Sequence, residues 1–247
     1  MKLVSYNINC FGGTTATREE YKKVYGISNY IREWDSFNKS RYVSGIADEI
    51  IKESPDIIVL QEFDLYSKEA KKFIVMMDES GYKLDSEIPE LKRPSMTVFF
   101  IKKEISYTPL DSVHIKKPLK AFSVLVNNDY IVYGIHVPPK YDEDFWNELE
   151  TFVNKYNGRK MILVGDLNTI NYHNQERIDK LLERNENSPC LIDVLYEKGI
   201  GSISIPGDYL IVSDNIPVDA IDIYPVDNML SDHPMLVASF SQLYPEN

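Results

Sequence analysis

Met161-Ile162-Leu163-Val164, opened by Lys160, is an unbroken apolar run that ends in Gly165-Asp166-Leu167-Asn168-Thr169. A short run of this kind, bounded by a turn signal, reads as a buried strand. Gly165 lets the backbone turn closely. A carboxylate and a carboxamide then stand two residues apart at the strand's C-terminal mouth, where α/β sheets tend to place their chemistry. Asp166 is able to bind a metal or take a proton from water, and Asn168 to donate to an anionic oxygen. Taken alone, the pentapeptide reads equally as a βα turn in which Asp and Asn serve as caps. The rest of the chain decides between the two.

The same arrangement recurs along the sequence. Lys2 to Ile8 alternates as a strand and ends in Asn7-Ile8-Asn9-Cys10 before a Gly pair. Ile57-Ile58-Val59-Leu60 is a continuous apolar strand followed directly by Gln61-Glu62. Phe122 to Val126 and Tyr130 to Ile135 pair as a hairpin across Asn127-Asn128-Asp129, and the second strand runs into His136-Val137-Pro138-Pro139. Further strands are expected at 96–101, 209–213 (led by Gly207-Asp208), 218–224 and 235–240, the last preceded by Ser231-Asp232-His233-Pro234. Helical spacing of apolar residues marks Tyr42 to Lys52 with Ser40 as N-cap, and 68–79 closed by Gly81. It also marks 144–156 and 175–183. Residues 11–40 form a long connection with room for a short helix over 18–30 and with Trp34 in a polar stretch; a lid or substrate wall is the expectation there. Neither repeats nor a linker interrupt the pattern, so one domain over 1–247 is expected.

Bulk properties narrow the class. The chain has 247 residues, 43% of them apolar, which suffices for a substantial core. Its net charge of −11 argues against tight non-specific DNA binding, although it leaves room for a local basic groove or a metal-neutralised site. Arg93, Lys102, Lys103, Lys116, Lys117 and Lys120 are candidates for such a patch, with a solvated face as the simpler reading. Two cysteines, Cys10 and Cys190, form neither a disulfide framework nor a zinc pattern and are expected to be reduced thiols. No apolar run of 18 residues exists and the N-terminus lacks a signal-peptide core, which points to a cytoplasmic protein with no membrane span.

Asn7, Asn9, Glu62, His136, Asp166, Asn168, Asp208, Asp232 and His233 thus lie at strand ends or beside them. Any one of them has an ordinary structural use, but polar groups at several strand ends of one sheet system converge in space. The oxygen-donor set, with no thiolate, favours Mg²⁺ or Mn²⁺ over zinc. Glu62 is the best ligand candidate, with Asn9 and Asp232 as further oxygen donors.

Ser5-Tyr6-Asn7-Ile8-Asn9, Leu60-Gln61-Glu62, Gly134-Ile135-His136, Gly165-Asp166-Leu167-Asn168, Asp208 to Ser213 and Ser231-Asp232-His233-Pro234 stand in order. Together they resemble the endonuclease/exonuclease/phosphatase superfamily over almost the whole chain. The resemblance implies an α/β four-layer sandwich, with two mixed β-sheets packed face to face and helices outside. It implies divalent-metal-dependent phosphoester hydrolysis by in-line attack of water. Glu62 would be the principal metal ligand, Asn7 and Asn168 would orient phosphate and water, and Asp166 would position or deprotonate the water. His233 would bond the scissile phosphate with Asp208 orienting it, and His136 would stabilise or protonate the leaving group. The general base stays open between Asp166 and His233.

Departures from the family shape the substrate expectation. Relatives of the exonuclease III type usually have Asp where Asn9 stands and Tyr where His136 stands, and often Arg-Ile where this chain has Pro206-Gly207. With the long 11–40 connection and the acidic balance, these weaken an abasic-endonuclease reading. A monomeric phosphodiesterase acting on DNA or RNA is expected, with a small-molecule or lipid phosphoester as the alternative and a silent binding module as the remaining one.

Overall fold

Alternation along the strands decides how the chain layers. The computed structural model describes residues 1–13, 39–85, 95–110, 118–183, 190–200, 207–225 and 230–240. One sheet holds β1 (Lys2–Asn7), β2 (Ile57–Phe63), β3 (Tyr82–Asp85), β4 (Met96–Lys102), β11 (Ala220–Tyr224) and β12 (Met235–Ser239), in the order β11-β12-β1-β2-β4-β3. The other holds β5 (Tyr107–Pro109), β6 (Ala121–Val126), β7 (Tyr130–His136), β8 (Lys160–Asp166), β9 (Leu191–Asp193) and β10 (Asp208–Ser213), in the order β5-β6-β7-β8-β10-β9. Each sheet is mixed: β1 runs parallel to β2, β7 runs parallel to β8, and the other pairs are antiparallel.

Every second residue faces the partner sheet. Leu3, Ile57, Val59, Phe99 and Leu236 of the first sheet therefore meet Val124, Val132, Ile162, Val164 and Leu210 of the second in one apolar layer. The intervening residues face outward under helices. Val4, Ile58, Leu60 and Phe100 pack against Val43, Ile46 and Ile50 of α1 (Lys39–Glu53) and Phe73 and Met77 of α2 (Lys68–Glu79). Ile131, Tyr133, Leu163 and Ile211 pack against α3 (Glu143–Lys155) and α4 (Tyr172–Leu182). α3 shows why the helices stay: Phe145, Trp146, Leu149, Phe152 and Val153 are all buried on one stripe, each worth roughly 2 kcal/mol of transfer. Asp142 caps it by accepting from the Phe145 N–H at 3.2 Å. The expected four-layer α/β sandwich is the fold.

Two glycines set close approaches. A Cβ on Gly134 of β7 would stand 2.5 Å from Val59 Cγ1 and 2.7 Å from a Phe99 ring carbon, so the two sheets meet there without room for a methyl group. Gly165 adopts φ +141°, and a Cβ on it would fall 2.0 Å from the Ile135 carbonyl oxygen. β8 thus bends onto β7 one residue before Asp166.

Several boundaries differ from the sequence reading. α1 begins at Lys39, so Ser40 lies inside the helix rather than before it. α4 begins at Tyr172 because Asn171, accepting from the His173 N–H, is its cap. β2 continues beyond Leu60 through Gln61 and Glu62 to Phe63. β11 begins at Ala220 and β12 ends at Ser239. β3, β5, β9 and the one-turn helix α5 (Val194–Glu197) have only three or four residues each, too short to show a period, and the three strands are sheet edges; the sequence pattern does not reveal them. The expected helix over 18–30, Trp34, Arg93, Lys116, Lys117 and Pro206 lie outside the described residues. Among the described residues no helix is long and apolar enough to cross a membrane.

Replacing Gly134 by Ala should destabilise the protein by about 1–3 kcal/mol through overpacking between the sheets, read as a lower urea midpoint with unchanged slope. A second test concerns the edge of the first sheet, where Tyr224 Oη and Lys2 Nζ both donate to the Glu53 carboxylate. The Tyr224 hydrogen bond, aided by Lys2 against burial, holds that carboxyl below its usual range. A depressed carboxyl stabilises the fold above its unfolded value and loses that contribution as pH falls through the folded one. Tyr224→Phe should cost up to about 1 kcal/mol at pH 7. Its urea midpoint should converge on that of the wild type below about pH 4.

Candidate active site

Register brings the polar residues together. In the second sheet Asp208 of β10, Asp166 of β8 and His136 of β7 are consecutive partners across one rung. They continue the inward-facing rows of Leu210, Val164 and Val132, so their side chains close one end of the inter-sheet core. Across the gap, Asn7 ends the row of Leu3 and Ser5 in β1. Asn7 Oδ1 accepts from the Asn9 N–H at 3.1 Å, which turns its amide nitrogen toward Asp166. Asp166 Oδ2 lies 3.1 Å from Asn7 Nδ2, 3.6 Å from His136 Nε2 and 3.8 Å from His233 Nε2. Asp166 Oδ1 accepts from the Asn168 N–H at 2.9 Å. His233 Nδ1 meets Asp208 Oδ2 at 2.8 Å.

Glu62 enters by a bulge. Strict alternation would send it outward with Ile58 and Leu60 beneath the helices. The pairing of β2 with β4 instead slips between Leu60 and Phe63, and Glu62 takes φ +55°. A bulge of this kind re-aims a side chain, and a non-glycine residue in this region marks a position held by its surroundings. Glu62 stays half-buried, with Oε1 3.8 Å from His136 Nε2 and Oε2 3.9 Å from Cys10 Sγ. Gln61, fully buried, keeps the inward place and donates to Ser5 Oγ at 3.1 Å.

Burial, reinforced by Asp208, raises the Asp166 carboxyl to about 7 against the pull of His233, the Asn168 N–H and Asn7. Burial opposes charge on His233, but the hydrogen bond and charge of Asp208, with Asp166 and Asp232, outweigh it and push the imidazole up to about 9. Burial, together with Lys120 and His233, pushes His136 down to about 3. The site therefore holds one imidazolium, one neutral imidazole and a carboxyl poised near neutrality.

The remaining expected residues are placed differently. Asn168 has φ +50° and its side-chain amide donates to the Val137 carbonyl at 2.7 Å, so it fastens the loop after β8 to the loop after β7. Asn9 lies in a 3₁₀ turn, Asn9–Phe11, and donates to the Gly13 carbonyl at 2.9 Å. Asp232 is exposed and reaches the cluster through its charge on His233. Among the described residues no three His, Cys, Asp or Glu side chains form a closed metal cage. The donor chemistry nevertheless fits a hard cation. Mg²⁺ is usually held by one or two carboxylates and keeps several waters, and the long contacts at Glu62 leave its oxygens able to accept one.

Three residues were missed as parts of the site. Lys120, read only as a member of a basic patch, stands 3.0 Å from His136 Nδ1. Asn174, fully buried on α4, donates to the carbonyls of Pro138 and Asn168 and accepts from the Trp146 indole at 2.9 Å, locking both site loops to α3. Ser231 donates to the Asn7 carbonyl at 2.6 Å and accepts from the His233 N–H at 3.3 Å, which sets the loop carrying His233. Hairpin register points to Lys120 and the Ser231-Asp232-His233-Pro234 run to Ser231, whereas Asn174 carries no local signal.

Comparison with known proteins bears on this arrangement. The sequence profile of the Endonuclease/Exonuclease/phosphatase family matches residues 4–233. No curated protein matches the chain. Among solved structures, Danio rerio TDP2 complexed with a single-strand DNA product superposes with a TM-score of 0.63 at 13% identity, covering 98% of this chain and 99% of that one. The human Nocturnin catalytic domain with bound sulfate gives 0.60 at 16% identity, covering 98% and 93%. ANGEL2, described as a 2′,3′-cyclic phosphatase, gives 0.61 at 13% identity, covering 97% and 94%. These identities speak to the fold. The profile reaches from Val4 to His233 and so spans every strand end that supplies the cluster, and the chain belongs to the Endonuclease/Exonuclease/phosphatase family.

Proposed function

We propose that the protein is a divalent-metal-dependent phosphoester hydrolase, most simply a nuclease-type phosphodiesterase that cleaves by in-line attack of water. The observation that carries the reading is the surroundings of Asp166 Oδ2: an amide donor at 3.1 Å, a neutral imidazole at 3.6 Å and an imidazole paired to Asp208 at 3.8 Å. Phosphoester cleavage needs a proton acceptor beside donors for developing negative charge, all held before the substrate arrives.

Each residue then has a task. Asp166 accepts the proton of the attacking water, because its two oxygens are oriented by Asn7 and the Asn168 N–H and its carboxyl is raised to about 7. His233, anchored through Nδ1 on Asp208, presents Nε2 to a phosphoryl oxygen. Asn7 gives a second donor to the same region, and Asn168 ties the loop after β8 to the loop after β7. Glu62 would hold Mg²⁺ or Mn²⁺, and Asn9 and Asp232 remain the further oxygen donors proposed for it. When bound, the cation would neutralise phosphate charge and acidify water.

Nucleic acid is the leading substrate class. The solved TDP2 structure contains a single-strand DNA product. A small phosphoester is the second reading, favoured by the net charge of −11.

The deciding assay measures hydrolysis of bis(4-nitrophenyl) phosphate, 4-nitrophenyl phosphate, and single- and double-stranded DNA, each with Mg²⁺, Mn²⁺ or EDTA. Metal-dependent turnover is expected, and Asp166→Asn should lower kcat by on the order of 10²–10⁴. Turnover unaffected by EDTA would end the metal assignment, and an Asp166→Asn enzyme of full activity would end the role given to that carboxylate. Asp208→Asn and His233→Gln should each lower kcat by on the order of 10². The double variant should fall little further, because the two act as a unit; additive losses would separate them.

A further inference from the structure

His136 ends β7 with a buried ring whose two nitrogens meet different partners. Nδ1 lies 3.0 Å from Lys120 Nζ. Nε2 faces Asp166 Oδ2 at 3.6 Å and Glu62 Oε1 at 3.8 Å. A lysine ammonium has three donors and no acceptor. Nδ1 must therefore accept, and the proton of the neutral ring sits on Nε2, on the side of the two carboxylates. Lys120 is itself anchored from the opposite sheet. Its Nζ donates to Ser95 Oγ at 2.8 Å, and its carbonyl accepts from Thr97 Oγ1 at 3.0 Å. Thr97 lies in β4, and Ser95 immediately precedes that strand.

The geometry points to Lys120 as a positioning residue that locks His136 as the Nε2–H tautomer, and to His136 as a neutral hydrogen-bond donor to a substrate oxygen. A neutral imidazole that gave up its remaining proton would become an imidazolate, so general acid catalysis is closed to it. A hydrogen bond that strengthens as charge develops is open to it. The ammonium behind the ring draws electron density toward Nδ1 and makes Nε2–H the stronger donor. The use of this donor rests on the phosphoester reading above; the tautomer does not.

The test is a long-range ¹H–¹⁵N spectrum of the histidine rings in the full-length protein with Mg²⁺, His136 being assigned by its loss in His136→Gln. The wild type should show a protonated Nε2 and a bare Nδ1. In Lys120→Met a protonated Nδ1 population should appear, whereas Lys120→Arg should retain the wild-type pattern. A protonated Nδ1 in the wild type, or an unchanged pattern in Lys120→Met, overturns the lock. If Lys120→Met does not fold, Lys120→Gln makes the same comparison, since its amide oxygen is able to accept from Nδ1–H.

On bis(4-nitrophenyl) phosphate, Lys120→Met should lower kcat about 10-fold with KM within about 2-fold, and Lys120→Arg should recover most of the loss. His136→Gln, which keeps a neutral N–H donor, should stay more active than His136→Ala. Equal inactivity of those two would overturn the donor role. Absence of phosphoester turnover in the wild type would overturn the phosphoester reading and with it that use of the ring, while the spectra would still decide the lock.

Discussion

Two carboxylates on adjacent strands at one rung of a sheet, at the end of an apolar layer, are the constraint around which the rest is arranged. Asp166 and Asp208 are paired across β8 and β10, and both are buried. Burying two like charges side by side is costly unless one is neutralised or paired. The structure meets that cost asymmetrically. Asp208 receives His233 at 2.8 Å, while Asp166 receives amide and backbone donors and is left near neutrality. The difference in partners, within one rung, is what separates an orienting carboxylate from a proton-accepting one.

Holding those partners requires backbone that alternation does not supply. Glu62, Asn168 and the 9–11 turn all have positive φ. Each non-glycine residue held in a sparsely populated region costs of order 1–3 kcal/mol. Such conformations persist only where the surroundings over-determine them: Ile8, Phe11 and Phe63 are buried in the apolar layer under α1 and α2, and the Trp146–Asn174 brace holds the loop of Asn168. The helices thus contribute to chemistry at a distance: α3 and α4 fix the loops after β7 and β8 through one buried amide.

The layering was legible because it depends on periodicity, which a sequence displays directly. Continuous runs such as Ile57 to Leu60 and Met161 to Val164 gave the buried strands, and the stripe Phe145, Trp146, Leu149, Phe152 gave α3. The convergence of Asn7, Glu62, His136, Asp166, Asp208 and His233 was legible from their places at strand ends. What each one touches was less so. Glu62 points inward only because of a bulge, and bulges leave no periodic trace. Asn168 turned out to spend its side-chain amide on the Val137 carbonyl, a contact between loops that chain order does not reveal. Short edge elements such as β5 and β9 are made by their neighbours' register rather than by their own three residues.

Lys120 shows where legibility stopped short of its limit. A hairpin closed across Asn127-Asn128-Asp129 pairs Val126 with Tyr130, and the register continues to Ala121 opposite Ile135. One step further places Lys120 opposite His136. Periodicity marks the hairpin but stops at its last apolar pair, and a lysine close to two others looks like solvated surface. Register has no such preference: it carries past the end of the apolar pattern and sets a charged side chain against a buried ring. For a family whose sites lie at strand ends, the residues just beyond the last hydrophobic pair are where pairing arithmetic still has content after periodicity has run out.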